Sequence, residues 1–210
     1  MAETLTMEAP PPTTVPTYPG RAAFKKNLSL EERTDVTVDE LENASLPASA
    51  ELYDGKVVFK MPNPEHGMVQ LNFAAEFKNY LRQNPIGYAM TETNFRIWPE
   101  RTRESRIPDV VFLKKERLPK DLRHFPGLAP DLAVEIISPE DNFSEVMDKV
   151  DAYLEQGTQV VWLIMCVKRE ALVCTASGIR REREKLAAPD LLPGFELLLA
   201  RVFEDVPIQV

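Results

Sequence analysis

The six residues Leu132–Ile137, LAVEII, constrain this chain more than any other stretch. In an extended strand, Leu132, Val134 and Ile136 face one side, while Ala133, Glu135 and Ile137 face the other. Both sides are apolar, so the segment reads as a central strand covered on both faces. Glu135 is the exception within it. An ionised carboxylate there costs on the order of several kcal/mol unless it is paired or bound to a metal. Two explanations stand: a metal ligand, or one half of an ion pair with an arginine from a neighbouring strand, for which Arg96 and Arg106 are available.

The surrounding pattern supplies the layers that such a strand needs. Residues 1–25 are rich in Pro and Thr without apolar periodicity and are expected to be a disordered tail. Residues 26–48 form a lead-in with one short helix at Val36–Asn43, and the domain proper is expected over 49–206. ELYDGKVVFKM (51–61) predicts a β-hairpin turning at Asp54-Gly55. Asn63 as N-cap and Pro64 at the first position open a helix whose stripe is Val69, Phe73, Phe77 and Tyr80. Strands are expected at Tyr88–Trp98, Ile107–Leu113 and Leu132–Ile137. Ser138 is expected to cap a second helix, with Pro139 opening it, Asp141 completing a capping box and Gly157 closing it. Strands at Val160–Met165 and Ala171–Thr175 follow. The expected class is α/β: a mixed sheet flanked by helices, with an N-terminal hairpin extension.

Composition narrows the setting. The 210 residues, 44% hydrophobic and 28% charged, suit one domain plus a tail. No run approaches the roughly 20 apolar residues of a membrane span, and the N-terminus lacks a signal-peptide pattern, so a cytoplasmic protein without membrane association is expected. Cys166 and Cys174 are out of register for a disulfide and are expected as buried thiols. The net charge of −8 argues against gripping nucleic acid by bulk electrostatics. One stretch, Arg96 to Arg123, is locally basic and surrounds Asp109; it suits a phosphate backbone or a solvated loop face.

Two Pro-Asp pairs offer Glu135 an acidic partner. Asp131 lies four residues away on the same strand, about 13 Å along it. Ligands of one Mg²⁺ must each lie about 2.1 Å from the ion, which excludes Asp131 while the chain stays extended. Asp109, in RIPDVVFL, lies on a separate strand, and neighbouring strands are about 4.8 Å apart. Asp109 is therefore the expected partner.

These residues carry a resemblance. Asp109 after Pro108, followed by Glu135 in a buried strand, resembles the P-D…(D/E)-x-K nuclease superfamily with its restriction-endonuclease-like fold. ELYDGKVVFKMPNPEHG, RIPDVVFL, PDLAVEIISPED, the lysine of DKVDAYLEQG, VVWLI and LLPGFEL, in that order, resemble the Uma-type family within it. The superfamily lysine stands two residues after the acid, and here that position is Ile137. The resemblance implies that the lysine has migrated to the following helix, as Lys149. A surface ion pair between Lys149 and Glu145, four residues earlier, is the alternative. Glu51 and His66 also fall at family-matching positions. Glu51 is a further acid or merely the start of a strand, and His66 an auxiliary metal or water-orienting group or a buried, hydrogen-bonded histidine.

The resemblance implies a Mg²⁺- or Mn²⁺-dependent endonuclease acting on DNA, with dimerisation expected from two-strand cleavage by related folds. Asp109 and Glu135, with Glu51, are the expected metal ligands; Asp109, Glu135, Lys149 and His66 are the expected catalytic residues. A non-catalytic nucleic-acid or protein-binding module on the same fold is the first rival. A glycosidase-like acid/base pair ranks last, since only 8% of residues are aromatic.

Overall fold

The computed structural model describes residues 30–208, so the expected tail lies outside the described residues. At the centre, β5 (Leu132–Ile137) is buried along its whole length. It pairs antiparallel with β4 (Val110–Lys114) and parallel with β6 (Val160–Met165). The parallel step is made by α3 (Phe143–Glu155), which crosses between β5 and β6. Adding β3 (Gly87–Thr91), β7 (Glu170–Thr175) and β8 (Gly178–Glu182) gives a six-stranded mixed sheet in the order β3-β4-β5-β6-β7-β8.

Alternation along β5 sorts the two layers. Leu132, Val134 and Ile136 pack with Val69, Phe73 and Phe77 of α2 (Pro64–Gln83). Ala133 and Ile137 pack with Val146, Val150 and Tyr153 of α3. Glu135 shares the parity of the second set and so faces α3.

The hairpin β1 (Ala50–Tyr53) and β2 (Lys56–Phe59) forms its own two-stranded sheet. Asp54 and Gly55 both adopt positive φ (45° and 80°), the turn geometry that the Asp-Gly pair predicted. A side chain at Gly55 would also meet the Thr34 carbonyl oxygen at 2.7 Å. The hairpin packs its inner residues Ala50, Leu52 and Val57 on Val36, Val38 and Leu41, the last two from α1 (Val38–Glu42). Thr37 and Glu40 close α1 with a capping box. An isolated bridge, Leu52 to Ser105, ties the hairpin to the main body.

Four sequence expectations shift. The helix expected from Ser138 begins at Phe143, because Asp141 turns its carboxylate back onto the Ser138 N–H (2.7 Å) and Asn142 becomes the N-cap. The strand expected over Tyr88–Trp98 ends at Thr91, where Glu92 takes φ 48°; beyond it only Phe95 bridges to Arg106. The strand expected from Ile107 begins at Val110, since Pro108 has no N–H to give to a ladder. β8 was not anticipated: Arg180, Arg181 and Glu182 make it a charged edge, without an apolar period to signal it. Cys166 and Cys174 are both buried free thiols, and Cys174 pairs in register with Val161.

Candidate active site

The site lies where the chain leaves β5 and enters β4. Pro108 delays the start of β4, so Asp109 stands just before it, yet its N–H still donates to the Val134 carbonyl (3.0 Å). This anchors the Asp109 carboxylate beside β5, where Oδ2 accepts from the Ile136 N–H at 2.6 Å. Glu135 is the residue immediately before that amide. Asp109 and Glu135 line one cavity of about 550 Å³, together with Glu51, Lys60, His66 and Lys149.

Asp131 is held elsewhere. At the opposite end of β5 its carboxylate accepts from the Lys114 N–H (2.8 Å) and pairs with Arg117 (2.8 Å). It ties β5 to the end of β4 and the turn that follows.

α3 presents Lys149 and Tyr153 one turn apart, toward the α3-facing side of the sheet. Tyr153 donates to Glu135 Oε1 at 2.8 Å, and Lys149 Nζ lies 3.7 Å from Glu135 Oε2. The surface pair with Glu145 does not form; Glu145 accepts from Asn142 instead. Among the described residues no arginine is clamped onto Glu135. Arg96 pairs with Asp39 and Glu42, while Arg106 pairs with Glu104 and lies over the Tyr53 ring.

Glu51, in the middle of β1, is fully engaged. Oε1 pairs with Lys149 at 2.9 Å and accepts from the Tyr53 hydroxyl at 3.1 Å, and Oε2 accepts from the Ile107 N–H at 2.9 Å. His66, in the first turn of α2, reaches Asp109 Oδ2 with Nε2 at 3.1 Å, while its Nδ1 is buried without a partner. Lys60, just past β2, pairs with Asp109 Oδ1 and donates to the Ile107 carbonyl at 2.9 Å.

Lys60 was not singled out from the sequence, nor was Tyr153 as a hydrogen-bond donor. Tyr153 sat in an apolar stripe that explained it fully. Lys60 followed a strand in which lysine at the solvent end is ordinary. The hairpin's docking onto Asp109, which no local pattern encodes, gives Lys60 its place.

Glu51, Asp109 and Glu135 are buried to 5% exposure or less, and Lys60 and Lys149 pair with them. Burial opposes ionisation of Asp109, but the His66 hydrogen bond and the Lys60 charge outweigh it and hold its pKa at about 2. Burial pushes Glu135 up to about 7; Lys149 pulls it down and Asp109 adds to the rise. Burial works against the Lys149 ammonium too, yet Glu135 and Glu51 more than offset it, so its pKa is raised. His66 is likewise raised, with the contact to Asp109 overcoming burial.

The donor chemistry fits a hard divalent cation. Asp109 and Glu135 offer carboxylate oxygens, the ligand type that Mg²⁺ and Mn²⁺ take. Among the described residues no three His, Cys, Asp or Glu side chains are grouped to hold an ion.

The basic stretch does not make one patch around Asp109. Arg96, Arg103, Arg106, Arg117 and Arg123 are each paired with acids, and Lys114 to Arg123 follow the end of β4 away from the site. No helix among the described residues is long and apolar enough to cross a membrane.

A family model, Uma2, described as "Putative restriction endonuclease", matches residues 38–201. The chain belongs to the Uma2 family. The match spans the hairpin, Asp109, Glu135 and Lys149 together. A solved structure titled a "putative nuclease belonging to DUF820", from Anabaena variabilis, superposes with a TM-score of 0.68. It is 22% identical and covers 80% of this chain and 97% of its own. That likeness is one of fold, and it agrees with the restriction-endonuclease-like sheet expected for the Uma2 family. No curated protein matches the sequence.

Proposed function

We propose that this Uma2-family protein is a divalent-metal-dependent endonuclease that hydrolyses phosphodiester bonds in DNA. One observation carries the proposal: Lys149 reaches from α3 to within 3.7 Å of Glu135, in the cavity that Asp109 also lines. The residues that the resemblance assigns as the two acids and the displaced lysine line this one cavity.

Asp109 and Glu135 are the residues that would hold the cation. Bound there, it would polarise a phosphate oxygen and acidify a coordinated water. The rest of the chemistry falls to the chain. Lys149 keeps its proton, because two carboxylates raise its pKa, so it serves as a hydrogen-bond donor and fixed positive charge rather than as a base. Aimed at the scissile phosphate, it offsets the negative charge that grows as water attacks phosphorus. The ester bond breaks, and a proton from the water ends on the leaving oxygen. Glu51 pairs with Lys149 and accepts from the Ile107 N–H, and is assigned to positioning Lys149. Tyr153, whose phenol burial keeps protonated, fixes the Glu135 carboxylate. His66 does the same for Asp109.

Nicking of supercoiled DNA in Mg²⁺ or Mn²⁺ tests this. Asp109→Ala and Glu135→Ala are expected to reduce cleavage to background while the circular dichroism of the fold survives. Full cleavage by both variants would overturn the assignment. DNA binding without cleavage in any divalent metal would identify the binding-module alternative instead.

A further inference from the structure

The ammonium of Lys60 stands on an oxygen of Asp109 that a cation would need. Asp109 Oδ2 is already committed to the Ile136 N–H (2.6 Å) and to His66 Nε2 (3.1 Å). Oδ1 remains, and Lys60 is paired with it. The Lys60 side chain is only 13% exposed, and its remaining neighbours are the Ile107 carbonyl at 2.9 Å and Glu92 Oε1 at 3.7 Å.

Lys149 differs. It is held by Glu51 at 2.9 Å and stands further from its site carboxylate, 3.7 Å from Glu135 Oε2, so it does not close off that oxygen. Glu92 in turn is fixed by Gln70, which donates to the same Oε1 at 2.9 Å and to the Asp109 carbonyl at 2.8 Å. A carboxylate thus waits beside Lys60, and at 27% exposure it is wetter than Asp109.

We propose that Lys60 is a resident counter-ion of Asp109 that an incoming divalent cation displaces toward Glu92, so that Lys60 sets the metal affinity of the site. This rests on Asp109 being a metal ligand, as proposed above. An ammonium and a divalent cation at Oδ1 repel each other at close range, so each weakens the other's hold on Asp109. With Lys60 in place the buried carboxylate stays neutralised, and the chain folds without metal.

Calorimetric titration of the protein with Mn²⁺ tests the proposal. Lys60→Met is expected to bind Mn²⁺ about tenfold tighter than wild type, from loss of a unit charge beside the ligand. Lys56→Met, an exposed lysine lining the same cavity, controls for general charge and is expected to stay near wild type. Should Lys60→Met bind no tighter than Lys56→Met, the counter-ion role is overturned while the metal site stands. No Mn²⁺ binding by wild type or by Lys60→Met would overturn the metal site and the counter-ion role together. If Lys60→Met does not fold, ¹⁵N NMR of the lysine ammonium groups in wild type decides. Saturating Mg²⁺ is expected to shift the Lys60 signal, assigned with Lys60→Arg, and to leave Lys56 in place. An unmoved Lys60 signal overturns the proposal.

Discussion

Lys149 of α3 and Glu51 of β1 meet at 2.9 Å, joining the helix that follows the central strand to a hairpin outside the sheet. Both side chains are largely buried, at 13% and 4% exposure. Removing one partner leaves the other as an uncompensated charge. Glu51→Gln or Lys149→Met alone is expected to cost about 3–5 kcal/mol in urea unfolding. The double variant should lose clearly less than the sum, and strict additivity would show that the pair is not coupled.

Asp131 provides the contrast. It is as buried as Asp109 and equally well bonded, but at the other end of β5. Asp131→Asn is expected to lower stability by about 1–3 kcal/mol, through its contacts to Lys114 and Arg117. DNA cleavage by the folded variant should match wild type. A cleavage defect at a temperature where the variant is folded would contradict the division of roles along β5.

Glu135 makes stability depend on pH in a defined window. Its pKa of about 7 in the fold stands above the usual 4.5, mainly from burial. Between those values the folded chain keeps a proton that the unfolded chain has released. Stability from this residue therefore falls as pH rises from 4.5 to 7 and levels off above. Asp109 acts in a separate window: its contribution is present above the usual 3.8 and is lost as pH falls through about 2. In metal-free protein, Glu135→Gln should thus gain on wild type between pH 4.5 and 7. A stability difference that stays flat across that range would contradict the burial argument.

The two thiols should be inert. Burial pushes Cys166 up to about 12 and Cys174 up to about 11. Little thiolate exists at pH 8, and access is closed as well. Reaction with a disulfide reagent is expected to be slow in the native state and to go to two equivalents in urea. Fast native labelling would mean that β6 or β7 opens.

Much of the fold was legible because its signals are local. LAVEII announced a central strand, Asp54-Gly55 a hairpin and Asn63-Pro64 a helix start, and each forms as read. The start of α3 was displaced by competition between two nearby caps: Asp141 and Asn142 both offer a side-chain acceptor, and only one opens the helix. The choice of Asp109 over Asp131 followed from strand geometry alone. Lys60 was hidden for the opposite reason. Its significance depends on a hairpin docking against a residue 49 positions later, and sequence spacing carries no record of that contact.

That docking bears on when the site exists. The six-stranded ladder closes without β1 and β2, while Glu51, Tyr53 and Lys60 all ride on or beside the hairpin. A unit held outside the main ladder can lift away at less cost than global unfolding. Hydrogen exchange should show this as two tiers. The Ile107 amide, which Glu51 protects, is expected to exchange with the hairpin, and the Ile136 amide, which lies within β5, only with the whole domain. The six-stranded sheet can then stay folded while the site is momentarily in two halves.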